Sequence, residues 1–165
     1  MTDKLILLTG ISGFIAKHCA VELLRAGYRV RGTVRAMARA DKVRATLAKH
    51  SDVAKLEFVE ADLLSDAGWS EAAKGVYGVL HVASPFIIEE PKDENELIRP
   101  AVDGTMRVLK AAIAAGAKRF VQIRNLRRNF QLTHFGTNDF QNLIEHSVRN
   151  FHRPPNQFNF VLIFR

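Results

Sequence analysis

Residues 4–16 read KLILLTGISGFIA: a short apolar run, a glycine corner and the opening of an amphipathic segment. An apolar run this short and uninterrupted marks a strand buried on both faces, as in a parallel sheet. Behind it Phe14, Ile15, Cys19, Val21, Leu23 and Leu24 recur at helical spacing until Gly27, which fits a helix stopped by glycine. The corner itself, TGISGFIA at residues 9–16, has small residues at Gly10, Gly13 and Ala16. Gly10 closes the strand tightly, Gly13 puts no side chain in the way of a phosphate, and Ala16 lets the helix pass close to the sheet. Amides that open a helix have no intrahelical acceptor and lie at its positive end, so the corner suits a diphosphate. The spacing, G-x-x-G-x-x-A, is one residue off the commoner first pair. Three small residues alone need only shape a turn. The strand before them and the helix after them make dinucleotide binding the stronger reading.

Outward from this corner the chain alternates. Residues 28–35 (YRVRGTVR), 55–63 (KLEFVEADL), 76–84 (VYGVLHVAS) and 117–123 (AKRFVQI) read as strands. Residues 39–50 read as an exposed helix with Val43 and Leu47 four apart, and 65–75 as a short helix capped by Ser65 or Asp66. A long helix runs to about Ala115, with Leu97, Ile98, Ala101, Val102, Thr105, Val108, Leu109 and Ala112 on one face and Pro91 and Pro100 near its start. Alternating strands and helices predict an α/β fold, a doubly wound parallel sheet of strand order 3-2-1-4-5.

The second strand selects between coenzymes. NAD wants an acid about 20 residues past the glycines, for the ribose hydroxyls. Between Tyr28 and Ala40 there is none; Arg31, Arg35, Arg39 and then Lys42 occur instead. Arg35 ends the strand, where a guanidinium can pair bidentately with a 2′-phosphate, so NADP (NADPH) is the expected cofactor. Arg31 and Arg39 read as solvated charges.

TGISGFIA, the strand ending GTVR, ADL at 61–63, HVASPF at 81–86 and PAVDGTMRVLKAA at 100–112 together resemble an extended short-chain dehydrogenase/reductase with a Rossmann-like sheet. The likeness is to the dihydroflavonol 4-reductase-like aldehyde and ketone reductases, and it covers residues 4–123. It implies that Gly10, Ile11, Ser12, Gly13, Phe14 and Ile15 wrap the diphosphate, and that Arg35 and Lys42 hold the 2′-phosphate. It further implies that Asp62 and Leu63 flank the adenine, and that Val82, Ala83 and Ser84 pass beside the adenosine ribose toward the nicotinamide. On their own residues, Asp62 reads equally as a cap, Ser84 before Pro85 as a loop start, and His81 as a packed core histidine. The parent activity would be hydride transfer from NADPH to a small-molecule aldehyde or ketone.

The same family ends its fifth strand in a Thr-Ser-Ser-like segment and places a Tyr-x-x-x-Lys pair some 35 residues on, for proton transfer to the carbonyl oxygen. Here Ile123, Arg124 and Asn125 occupy the strand end. Tyr28 and Tyr77 lie far upstream, with no lysine four residues on, and no lysine follows Lys118. No catalytic residue is therefore assigned, and the chain as written is expected to bind cofactor without turnover.

The vocabulary also changes there. Residues 124–165 hold seven Phe and seven Asn and no Ala, Lys or Tyr. Of the net charge of +7, residues 1–123 supply +3 and residues 124–165 supply +4. Two units are expected: a cofactor-binding domain at 1–123, and an atypical tail at 124–165 arising from a frameshift, an unspliced intron or a misassembled gene. The tail offers one weak helix around Leu143, Ile144 and Val148, and a possible strand in FNFVLIF; otherwise it leaves the sheet incomplete, with a bare edge. An alternative reading makes the chain a non-catalytic NADP sensor, or a nucleic-acid binder through Arg124, Arg127, Arg128 and Phe130. No nucleic-acid motif accompanies that cluster, which argues against the second. No run approaches a membrane span, and the lone Cys19 suits a reducing, cytoplasmic setting.

Overall fold

The apolar runs become parallel strands because each is followed by an amphipathic segment long enough to cross back over the sheet. In the computed structural model, which describes residues 3–84, 95–124, 142, 145–149, 151 and 159–164, the order is β1 Leu5–Thr9, α1 Phe14–Arg25, β2 Arg29–Val34, a 3-10 turn Met37–Arg39, α2 Ala40–Ala48, β3 Leu56–Glu60, α3 Trp69–Ala73, β4 Gly78–His81, α4 Asn95–Ala114, β5 Arg119–Arg124 and β6 Asn159–Phe164. The strands are parallel and lie in the order β3-β2-β1-β4-β5-β6. The expected 3-2-1-4-5 arrangement is present, but β5 is not left as a bare edge. The FNFVLIF segment pairs with β5 along its whole length, from Arg119 opposite Asn159 to Arg124 opposite Phe164.

Alternation along the strands divides the core in two. Ile6, Leu8, Leu80 and Val121 face α1 and α2, meeting Cys19, Leu23, Val43 and Leu47. Leu5, Leu7, Val79 and Phe120 face α3 and α4, meeting Trp69, Ala72, Val108 and Ala112. The tail enters the first core: Val148 and Phe151 are buried there, the Phe151 ring edge-on to Tyr28 at 6.3 Å. Gly78 makes room for it, since a Cβ at that position would lie 2.8 Å from the ring.

Two expectations need correction. Helix α3 starts at Trp69 behind Gly68, which has φ +84° and no side-chain cap. Ser65 and Asp66 do not cap it; Ser65 instead accepts from the Ala67 amide at 3.2 Å, and Asp66 pairs with Arg107 of α4. The apolar face of α4 is also narrower than its sequence implies. Val108 and Ala112 are buried, whereas Ile98 and Val102 are more than half exposed. Gly104 sets the contact side by packing directly on Leu63, so that small residues face the sheet. The larger apolar residues fall about 100° around the helix. Pro100 lies inside α4, in its second turn. Pro91, Leu143, Ile144, Arg127, Arg128 and Phe130 lie outside the described residues.

Candidate functional site

At the carboxyl edge of the sheet, β1 runs into the glycine corner. Gly10 has φ +69°, a left-handed conformation that other residues rarely adopt, and a Cβ there would lie 3.0 Å from the Ala83 Cβ. Gly13 precedes α1 in extended conformation; a Cβ on it would meet only the Gly10 carbonyl oxygen, at 3.2 Å. Gly10 is thus required by backbone geometry, whereas Gly13 is constrained only by that one contact.

The corner is fastened from below. The Gly10 amide donates to Thr33 Oγ1 at 2.9 Å, and the Ile11 amide to the Thr33 carbonyl at 3.2 Å. The Ile11 side chain is fully buried over Gly32, where any Cβ would overlap it. Within the predicted stretch, then, Ile11 anchors the corner through its side chain, while Ser12, Gly13 and Phe14 face outward. The first helical bond is Lys17 N–H to the Gly13 carbonyl. Helix α1 has neither a side-chain cap nor an acid in its first turn. Among the described residues, the Ser12, Ile15 and Ala16 amides have no acceptor. A helix end left uncompensated in this way attracts an anion.

At the end of β2 the basic residues divide by employment. Arg31 is not the solvated charge expected: it holds Glu57 at 2.6 Å and donates to the Ala72 and Lys74 carbonyls at the end of α3. Arg44 donates to the Val53 and Leu56 carbonyls. Arg35 and Lys42 are exposed and, among the described residues, have neither an ion pair nor a hydrogen bond through their charged groups. One acid does stand nearby, which the strand-by-strand reading missed. Glu60 is paired in register with Val34, and its Oε2 accepts the Met37 amide at 3.0 Å, holding the turn that follows Arg35.

At the end of β3, Asp62 Oδ1 accepts the Leu64 amide at 3.0 Å, so its local role is a turn cap. The Leu63 side chain is buried against Gly104 of α4. At the end of β4, Val82 and Ala83 are half-buried beside Gly10 and Ser84 is exposed. Fold and connectivity therefore bring the corner, Arg35, Asp62 and Val82–Ser84 to one edge of the sheet. Tyr28 and Tyr77 lie at the opposite edge, where their backbones bond to Leu23 and Leu5.

A parallel sheet in this order, with its glycine corner at the carboxyl edge of the central strand, is a Rossmann-like α/β domain. Residues 6–124 match the NAD dependent epimerase/dehydratase family, and the chain belongs to that family. An uncharacterized oxidoreductase of Schizosaccharomyces pombe is 44% identical over 117 residues, covering 68% of this chain and 33% of that protein. Dihydroflavonol 4-reductase of Hordeum vulgare is 38% identical over 117 residues, covering 70% of this chain and 33% of its own length. The chain thus spans about a third of the length of these curated relatives. Among solved structures, yeast methylglyoxal/isovaleraldehyde reductase Gre2 complexed with NADPH superposes with a TM-score of 0.63 at 25% identity, over 78% of this chain and 39% of that one. The family match stops at residue 124, where the composition changes.

Proposed function

We propose that this chain binds NADP(H) as the cofactor-binding part of an oxidoreductase acting on aldehydes or ketones. The observation that carries the proposal is the Arg35 guanidinium, exposed just past β2 with no protein partner among the described residues. A cation left unemployed there suits a 2′-phosphate. The uncapped start of α1, free of acids, suits the diphosphate. Ser12, Gly13 and the α1 amides would hold the diphosphate, Arg35 and Lys42 the 2′-phosphate, Asp62 and Leu63 the adenine side, and Val82, Ala83 and Ser84 the path toward the nicotinamide. When bound, the coenzyme supplies a hydride for a carbonyl carbon. This chain's own contribution is to bind and orient it.

Proton transfer is a separate matter. Residues 123–125 carry no hydroxyl, and both tyrosines sit at the far edge of the sheet. The chain by itself is therefore expected to bind coenzyme and to consume none of it in the presence of aldehydes. Residues 1–123 act as the binding unit in this reading, and residues 124–165 as a segment foreign to the family pattern. A cytoplasmic location belongs to the same reading, supported by the single buried thiol.

Titration of the purified chain with NADPH and with NADH, followed by coenzyme fluorescence, tests it. Saturable binding is expected for both, with NADPH preferred by about tenfold or more, the worth of one charge-assisted bidentate pair. Uptake of neither would end the proposal, and equal uptake would remove the NADP preference.

A further inference from the structure

One row of the sheet is polar where its neighbours are not. Thr9, His81 and Gln122 are register partners across β1, β4 and β5. They share the face on which Leu5, Leu7, Val79 and Phe120 form the core against α3 and α4. Thr9 and His81 are buried, at 0% and 1% exposure. Polar groups so deep persist only when their hydrogen bonds are satisfied, and here the bonds can be traced proton by proton.

The Val82 and Ala83 amides both donate to Thr9 Oγ1, each at 3.0 Å. A hydroxyl has two acceptor lone pairs and one proton, so those amides fill its acceptor capacity. Its proton is left for His81 Nδ1, 2.8 Å away. Nδ1 is therefore the unprotonated nitrogen, and Nε2 carries the ring proton toward Thr105 Oγ1 at 3.3 Å. Thr105 passes its own proton to the Ala101 carbonyl at 2.8 Å, and its oxygen also receives the Gln122 amide at 3.4 Å. Each of the Thr9, His81 and Thr105 protons has an acceptor, and only one tautomer of His81 permits it.

We infer that His81 is a positioning residue: through Thr9 and Thr105 it locks the ends of β1 and β4 to each other and to α4, and so sets the spacing between the glycine corner and Val82–Ala83. Thr9 immediately precedes Gly10, and a Cβ on Gly10 would lie 3.0 Å from the Ala83 Cβ. With an apolar residue at position 81, the Thr9 proton would lose its present acceptor. The hydroxyl would then turn toward another one and loosen its hold on the Val82 or Ala83 amide. A side chain present only to fill volume would have no such effect.

The inference rests on the NADP(H) reading for its consequence, though not for its geometry. Two substitutions separate positioning from filling. His81→Leu keeps most of the volume and removes both ring nitrogens. His81→Asn leaves a larger void but offers Oδ1 where Nδ1 stood, in reach of the Thr9 proton. Positioning predicts that H81L weakens NADPH binding about tenfold, as loss of a buried hydrogen bond does, and that H81N recovers most of it. Filling predicts the reverse order, and that order, or equal binding by H81L and the unsubstituted chain, overturns the inference. Nitrogen-15 NMR of the imidazole in the unsubstituted chain requires no variant to fold: Nδ1 should appear unprotonated and Nε2 protonated, and a proton on Nδ1 overturns the inference by itself. If the unsubstituted chain takes up no NADPH, the functional reading fails. The tautomer, together with slower exchange of the Val82 and Ala83 amides in H81N than in H81L, then decides the positioning role; the opposite exchange order overturns it.

Discussion

Residues at the sheet edge differ in whether the protein itself supplies their partners. Arg31 and Arg35 are four apart on the same segment, yet Arg31 is consumed by Glu57 and the end of α3 while Arg35 is left to solvent. Arg35→Ala is therefore expected to lower NADPH affinity by about 10- to 100-fold and leave NADH almost unchanged; parallel fluorescence titrations measure both. Loss of both affinities together would mean that Arg35 supports the fold instead. Cys19 is wholly structural. Burial pushes its thiol up to about 12, so almost no thiolate exists near neutrality. The native chain should resist iodoacetamide at pH 8 and react only at its unfolding rate, which mass spectrometry would follow. The glycine corner was legible from residue types alone, because Gly10, Gly13 and Ala16 meet requirements set by their immediate neighbours. Thr33 and Glu60 were not, since their contacts with Gly10 and Met37 each span 23 residues and exist only once β1, β2 and β3 are in register.

Strands and helices followed from hydrophobic period wherever burial is symmetrical. β1 is buried along its length and reads as an unbroken apolar run. Among the described residues β3 pairs only with β2, and just Leu56 of the strand is buried, with Phe58 partly covered beneath Arg44. The face of α4 escaped a periodicity argument because Gly104, which adds nothing to a hydrophobic pattern, determines which side meets Leu63. Tail residues likewise carried no periodic signal strong enough to foretell that Phe151 enters the core beside Gly78 and Tyr28. Phe151→Ala should cost about 3–5 kcal/mol, as removal of a fully buried phenylalanine does. Urea denaturation measures it, and a loss below about 1 kcal/mol would show that this ring does not pack as described.

For the molecule as a whole, the buried polar row makes stability depend on acidity. His81 is lowered from its ordinary value to about 4 by burial, and among its described hydrogen-bond partners there is no carboxylate to offset that. The unfolded chain therefore binds the proton first, near pH 6.5. The stabilising effect is complete above pH 6.5 and is lost as pH falls through 4, by about 3 kcal/mol in total. Urea midpoints between pH 7 and pH 4 should drop accordingly, and more steeply than those of H81N; parallel curves for the two chains would contradict it. Among the described residues no helix is long and apolar enough to cross a membrane. The amino-acid sequence by itself determined the alternation of elements, the glycine corner and the basic residues past β2, because each depends on neighbours a few positions away. Only the tertiary structure decided that Arg31 is engaged while Arg35 is not, that His81 meets Thr9 and Thr105, and that β6 pairs beside β5. Those outcomes depend on register and burial among residues as many as 74 positions apart, and local pattern does not encode them.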